Sequence, residues 1–107
     1  MLRNAKHAVN QVDGGNVIMV PERLKYLRNE AGFSQEKLAV MAGIEERTAR
    51  SRISQYENGV YRPKFELVKQ FARIFDVPVC YFYADDDELA ALILNFHREK
   101  SRALTVR

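Results

Sequence analysis

The sequence predicts an all-α fold organised around a helix-turn-helix corner, and three observations predict it. Apolar residues recur at spacings of three and four along most of residues 21 to 102. A glycine, Gly43, separates two short helical patterns. The second of these patterns turns arginine, serine and glutamine outward while keeping an apolar stripe on its other side.

Residues 1 to 19 form an N-terminal extension, expected to be partly flexible, that is polar and mixed except at its end. There the run Val17-Ile18-Met19-Val20, after Gly14-Gly15, reads as a short strand or a hydrophobic strap. Pro21 suits the first turn of a helix that carries Leu24, Tyr26, Leu27 and Ala31 and is closed by Gly32. Ser34 is a good N-cap for the next helix, because its hydroxyl can accept from the exposed N–H groups that open it. Good helix formers follow, and Gly43 ends the helix in the left-handed conformation that a side chain would penalise. Leu38, Ala39 and Ala42 are compact apolar positions at which another helix can cross closely.

The next pattern places Ala49, Ile53, Tyr56 and, past the turn, Val60 on one stripe, with Arg50, Ser51, Ser54 and Gln55 facing away. A helix from about residue 64 to 75 follows, with more apolar positions than one stripe needs, which implies a central, well-covered element. Pro78 opens a short helix containing Cys80, Tyr81 and Phe82. Residues 88 to about 102 read as a last helix with Leu89, Leu92, Ile93 and Phe96 on one side. Asp85 or Asp86 suits its N-cap, and Arg98, Lys100 and Arg102 suit its negative end.

A chain of 107 residues has room for one core, and its apolar and charged content is ordinary for a globular domain. The formal charge is +3, and its distribution says more than its size. Residues 47 to 64 hold five basic side chains and one acid, whereas Asp85, Asp86, Asp87 and Glu88 gather the opposite sign. The lone Cys80, among Val79, Tyr81 and Phe82, reads as a buried core thiol. His7 and His97 lack metal-ligand spacing, no nucleophile elbow or phosphate-cradling loop occurs, and no catalytic residue, metal or cofactor is expected. No signal peptide or membrane span is expected either, which makes the cytoplasm the default location.

Arginine forks two hydrogen bonds to guanine, glutamine pairs with adenine, and serine serves several base edges. The outward set of residues 50 to 55 therefore suits the major groove of DNA, although basic side chains outside an amphipathic helix are commonly only its solvated face.

Taken together, these motifs resemble the repressor and Cro-like helix-turn-helix domains of phage and bacterial regulators, the Xre family. The resemblance runs from Arg23-Leu24-Lys25-Tyr26-Leu27-Arg28 through Gly32-Phe33-Ser34-Gln35-Glu36-Lys37-Leu38-Ala39 and Ala42-Gly43-Ile44 to Ile53-Ser54-Gln55-Tyr56-Glu57-Asn58-Gly59, Pro63, and on from Leu67 to Tyr81-Phe82. It implies a compact five-helix repressor-like bundle over residues 20–84, followed by an additional C-terminal helix and tail at 85–107, a possible dimerisation element.

The chain departs from the family pattern between Ile44 and Ile53, where about one extra helical turn is inserted. Either the inter-helix turn is longer, with Thr48 as N-cap, or the second helix starts near Glu45 or Glu46; the acids favour the second. Counting back from Ile53, the resemblance makes Arg50 and Ser51 the first base-reading positions and Gln55 a later one, with Arg47 a further candidate. Ser34, Gln35, Arg52, Ser54, Tyr61, Arg62 and Lys64 are candidates for phosphate contact or bracing, with pairing to Glu45 or Glu46 an alternative for Arg52. Glu57 is expected to pair with Arg28 or Arg23.

The function implied is a transcriptional regulator that binds double-stranded DNA in a sequence-specific way, an operator-binding repressor acting as a homodimer, with no small-molecule ligand evident. Two contacts are candidates for the dimer: the stripe from Leu89 to Phe96, or the bundle end near Pro63 and Val77. The alternative is a protein-interaction module on the same fold, an antitoxin or a coactivator. Arg3, Lys6 and His7 offer a DNA-tracking arm, with a frayed terminus as the simpler reading.

Overall fold

The computed structural model describes residues 12–13 and 16–105, and it is all-α apart from a minimal hairpin. In that hairpin β1 (Val12–Asp13) pairs antiparallel with β2 (Asn16–Val17). Beyond it the chain is a strap: Met19 and Val20 are buried, and the Val20 N–H donates to the Phe82 carbonyl at 2.8 Å. The proposed arm of Arg3, Lys6 and His7 lies outside the described residues.

Five α-helices follow: α1 (Pro21–Ala31), α2 (Gln35–Met41), α3 (Ala49–Glu57), α4 (Phe65–Phe75) and α5 (Asp87–Thr105). A 3₁₀ turn, Glu46–Thr48, leads into α3, and a 3₁₀ helix, Val79–Tyr83, connects α4 to α5. Pro21 stands at the first turn of α1, and Ser34 caps α2 by accepting from the Lys37 N–H at 3.0 Å. Gly43 ends α2 at φ +81°, with the Ile44 N–H returning to the Ala39 carbonyl and that of Gly43 to Val40. Gly59 ends α3 in the same way at φ +75°.

Leu24, Leu27, Leu38, Ile53, Val68, Phe71 and Phe82 are the largest fully buried side chains and come from α1 to α4 and the 3₁₀ helix Val79–Tyr83. Tyr56 and Phe82 both pack against the ring of Phe71. Ala39, Ala42 and Ala49 are buried where α2 crosses α3, so the small residues permit the close approach of the corner.

Two expectations are corrected. Cys80 is exposed, because the segment is a 3₁₀ helix with three residues per turn; its neighbours Tyr81 and Phe82 take the inward positions. Val60 is 64% exposed rather than part of the α3 stripe, since the left-handed Gly59 takes the chain off the helical screw first. The central helix α4 buries Val68, Phe71 and Ala72 fully, while Phe65 remains half exposed against Tyr83.

The last helix docks through Ala90 and Leu94. Asp86 is its cap, accepting from the N–H groups of Glu88 at 2.8 Å and Leu89 at 3.2 Å. Buried Arg23 clamps the entry to α5 by donating from Nε and Nη2 to the Ala84 carbonyl, and its Nη1 lies 2.9 Å from Asp87. Arg98 ties the far end to Glu30 of α1 at 2.6 Å. No helix among the described residues is long and apolar enough to cross a membrane.

Candidate nucleic-acid interface

The polar contacts that tie α3 to α1 and α2 converge on Glu57, at its last turn. The Arg28 Nε donates to Glu57 Oε2 at 2.6 Å and its Nη2 to Oε1 at 3.1 Å, while Nη1 donates to the Phe33 carbonyl at 2.8 Å. The Gln35 amide adds a third bond to Glu57 Oε1 at 3.1 Å. One arginine thus joins α1, the turn before α2 and the end of α3, and the start of α2 is held to the same carboxylate. Such fork-shaped pairing fixes direction as well as distance. Arg23, the other partner considered for Glu57, is committed to Ala84 and Asp87 instead.

With Ala49, Ile53 and Tyr56 buried, the remaining face of α3 points outward. Arg50, Ser51 and Arg52 are exposed, and Ser54 and Gln55 are half-buried. This face forms a ridge between two shallow grooves. One, of about 510 Å³, is lined by Gln35, Glu36, Glu46, Arg47, Arg50, Ser51 and Ser54. The other, of about 550 Å³, is lined by Thr48, Ser51, Arg52, Gln55, Tyr56, Tyr61, Arg62, Lys64 and Leu67. Ser51 belongs to both and marks the crest. The second groove owes its outer wall to the backbone of Gln55, whose carbonyl accepts from Val60 at 2.9 Å and Tyr61 at 3.3 Å and folds the 60–64 loop against the helix.

Residues 24–82 match the helix-turn-helix family model. The chain belongs to the Xre/Cro-type helix-turn-helix family. It is 33% identical over 85 residues to uncharacterized HTH-type transcriptional regulators of Sinorhizobium medicae (strain WSM419) and Rhizobium meliloti (strain 1021), covering 79% of this chain and 55% of theirs. The chain therefore spans about half the length of these curated relatives. Among solved structures it is similar to the transcriptional regulator BswR, with a TM-score of 0.69, 35% identity, and coverage of 83% of this chain and 95% of that one.

Within this family fold, the sequence-derived candidates gather on one surface. Arg47, Arg50, Ser54 and Gln35 share the first groove, and Arg52, Gln55, Tyr61, Arg62 and Lys64 share the second. Ser34 stands apart from both grooves; its hydroxyl is engaged as the α2 cap. The start of α3 differs from the alternative that the acids favoured: the helix begins at Ala49, and the inserted residues form the 3₁₀ turn Glu46–Thr48. Thr48 holds the position before the helix, but its hydroxyl makes no capping bond to α3 and reaches back to the Glu45 carbonyl at 3.4 Å. Buried Ala49 explains the choice, since the helix must start where its stripe meets α2. Among the described residues Arg52 makes no ion pair with Glu45 or Glu46.

Sequence reasoning missed Glu36, Glu46 and Thr48 as groove residues. For Glu36 the signal was present in its neighbour Gln35, whereas Glu46 and Thr48 depend on the shape of an insertion that periodicity does not describe.

Proposed function

We propose that the protein is a sequence-specific, non-enzymatic DNA-binding transcriptional regulator of the cytoplasm, an operator-binding repressor that acts as a homodimer. The observation that carries this reading is the outward face of α3. Among the described residues, the side chains of Arg50, Ser51 and Gln55 make no intramolecular bond, and they stand on a ridge flanked by Arg47, Arg52 and Lys64. Unengaged donors of these types match base edges, and the flanking cations match phosphates. Ser34, Gln35, Ser54, Tyr61 and Arg62 serve the backbone contact or brace the helix that makes it.

The homodimer reading rests on α5. This helix buries Ala90 and Leu94 yet leaves Leu89, Leu92 and Phe96 at 48%, 65% and 70% exposure. A second copy covers that stripe, because a regulator of a two-fold operator needs two reading helices, and identical stripes are self-complementary about a two-fold axis. In this scheme residues 20–84 read DNA and 85–107 assemble the dimer. The same stripe also supports an interaction module docking a different protein, which a purified chain that stays monomeric at high concentration favours.

Selection of bound sequences from a random duplex pool tests the proposal. The expected outcome is a motif with two-fold symmetry and half-sites about 10 base pairs apart. Binding of equal strength to every duplex overturns it.

A further inference from the structure

We infer that Glu46 is a base-reading residue that accepts a hydrogen bond from the exocyclic amine of a cytosine, next to the base read by Arg50. The inference rests on the DNA-reading function proposed above and deepens it.

Three observations converge on Glu46. The inserted 3₁₀ turn Glu46–Thr48 carries it into the same groove as Arg47, Arg50 and Ser54. Its side chain is exposed and, among the described residues, makes no hydrogen bond or ion pair, although Arg50 is only four residues away in the chain. Finally, it is a carboxylate on a surface otherwise suited to a polyanion.

The last point decides its role. A carboxylate facing DNA is repelled by the phosphates, so it gains only where the duplex presents a hydrogen-bond donor. The major groove offers two: the cytosine N4 amine and the adenine N6 amine. The adenine amine lies beside the N7 acceptor, which suits an amide side chain and repels a carboxylate; the cytosine amine has no such neighbour on its own ring. Cytosine is therefore the match. Glu36, the other carboxylate of the groove, belongs to α2 and not to the inserted turn that leads into α3.

The test is binding-site selection with the full chain as wild type, Glu46→Gln, Glu46→Ala and Arg50→Ala, alongside affinity for a random duplex. The wild type is expected to return a cytosine column adjacent to the column that Arg50→Ala erases. Both Glu46 variants lower the cytosine preference by about tenfold. They also raise affinity for the random duplex, because a repulsive charge is gone, a combination that a folding defect does not produce. A wild-type motif that is unchanged in Glu46→Gln overturns the inference, as does a loss confined to the Arg50 column, which marks Glu46 as a brace. A wild type with no motif overturns the DNA-reading function itself.

Discussion

Arg28 and Glu57 lie 29 residues apart in sequence and meet through two parallel contacts, at 2.6 and 3.1 Å, in a site where the Glu57 side chain is only 2% exposed. The pair locks the end of α3 to α1 and receives the Gln35 bond from α2 as well. Removing one partner leaves a buried charge without compensation, whereas replacing both with apolar groups does not. Glu57→Ala is expected to destabilise the protein by about 3 kcal/mol, and Arg28→Met combined with Glu57→Leu to recover most of that loss. Urea unfolding of wild type and the two variants measures this; a Glu57→Ala transition coincident with wild type counts against it.

Arg50 is exposed on the α3 ridge and makes no internal bond among the described residues, so its removal should leave the fold intact. Arg50→Ala is expected to relax base preference at one position of each half-site by about 1 to 3 kcal/mol while thermal stability stays within about 0.5 kcal/mol of wild type. Quantitative binding to duplexes substituted at single positions reads this directly. An unaltered motif speaks against a base contact.

Leu92 and Phe96 project from α5 on the side away from its docked face. Placing acids there opposes like charges across a two-fold contact without touching the core. Leu92→Asp with Phe96→Glu is expected to shift sedimentation from dimer to monomer with helical circular dichroism preserved, and to weaken operator binding at low protein concentration. A double variant that remains a dimer moves the interface elsewhere, for instance to the bundle end near Pro63 and Val77.

The hydrogen bond from Arg98 holds the Glu30 carboxyl below its ordinary value of 4.5. A folded-state value below the unfolded one means that the stabilisation is complete above the ordinary value and disappears as pH falls through the folded one. Both side chains are more than a third exposed, so screening limits the effect to roughly 0.5 kcal/mol. Glu30→Gln should therefore lower stability slightly at pH 7 and by less at pH 3. Denaturant melts at the two values check it, and an equal difference at both removes the pair as the cause.

Much of the bundle was legible because its signals are local. Pro21, Ser34, Gly43 and Asp86 each mark a helix end through backbone chemistry that acts within a few residues. The Arg28–Glu57 pair was anticipated only through resemblance to the family, since nothing local joins residues 29 positions apart. Cys80 and Val60 were misplaced for a related reason: a 3₁₀ helix and a left-handed residue change the angular step, and a period of 3.6 no longer tells inside from outside.

The sequence by itself determined the helix-turn-helix corner and the residue types on its outer face, because capping, periodicity and side-chain size are properties of short segments. Tertiary structure decided where α3 begins. The acids before it permit an earlier start, but Ala49 has to pack beneath α2, so the inserted residues tighten into the 3₁₀ turn Glu46–Thr48 and carry Glu46 and Arg47 into the groove. It also decided which side of α5 stays open, since Ala90 and Leu94 are the positions buried as the helix packs on the Val79–Tyr83 segment, with Arg23 and Arg98 holding the two ends. Packing of two elements against each other settles such choices, and neither element encodes it alone.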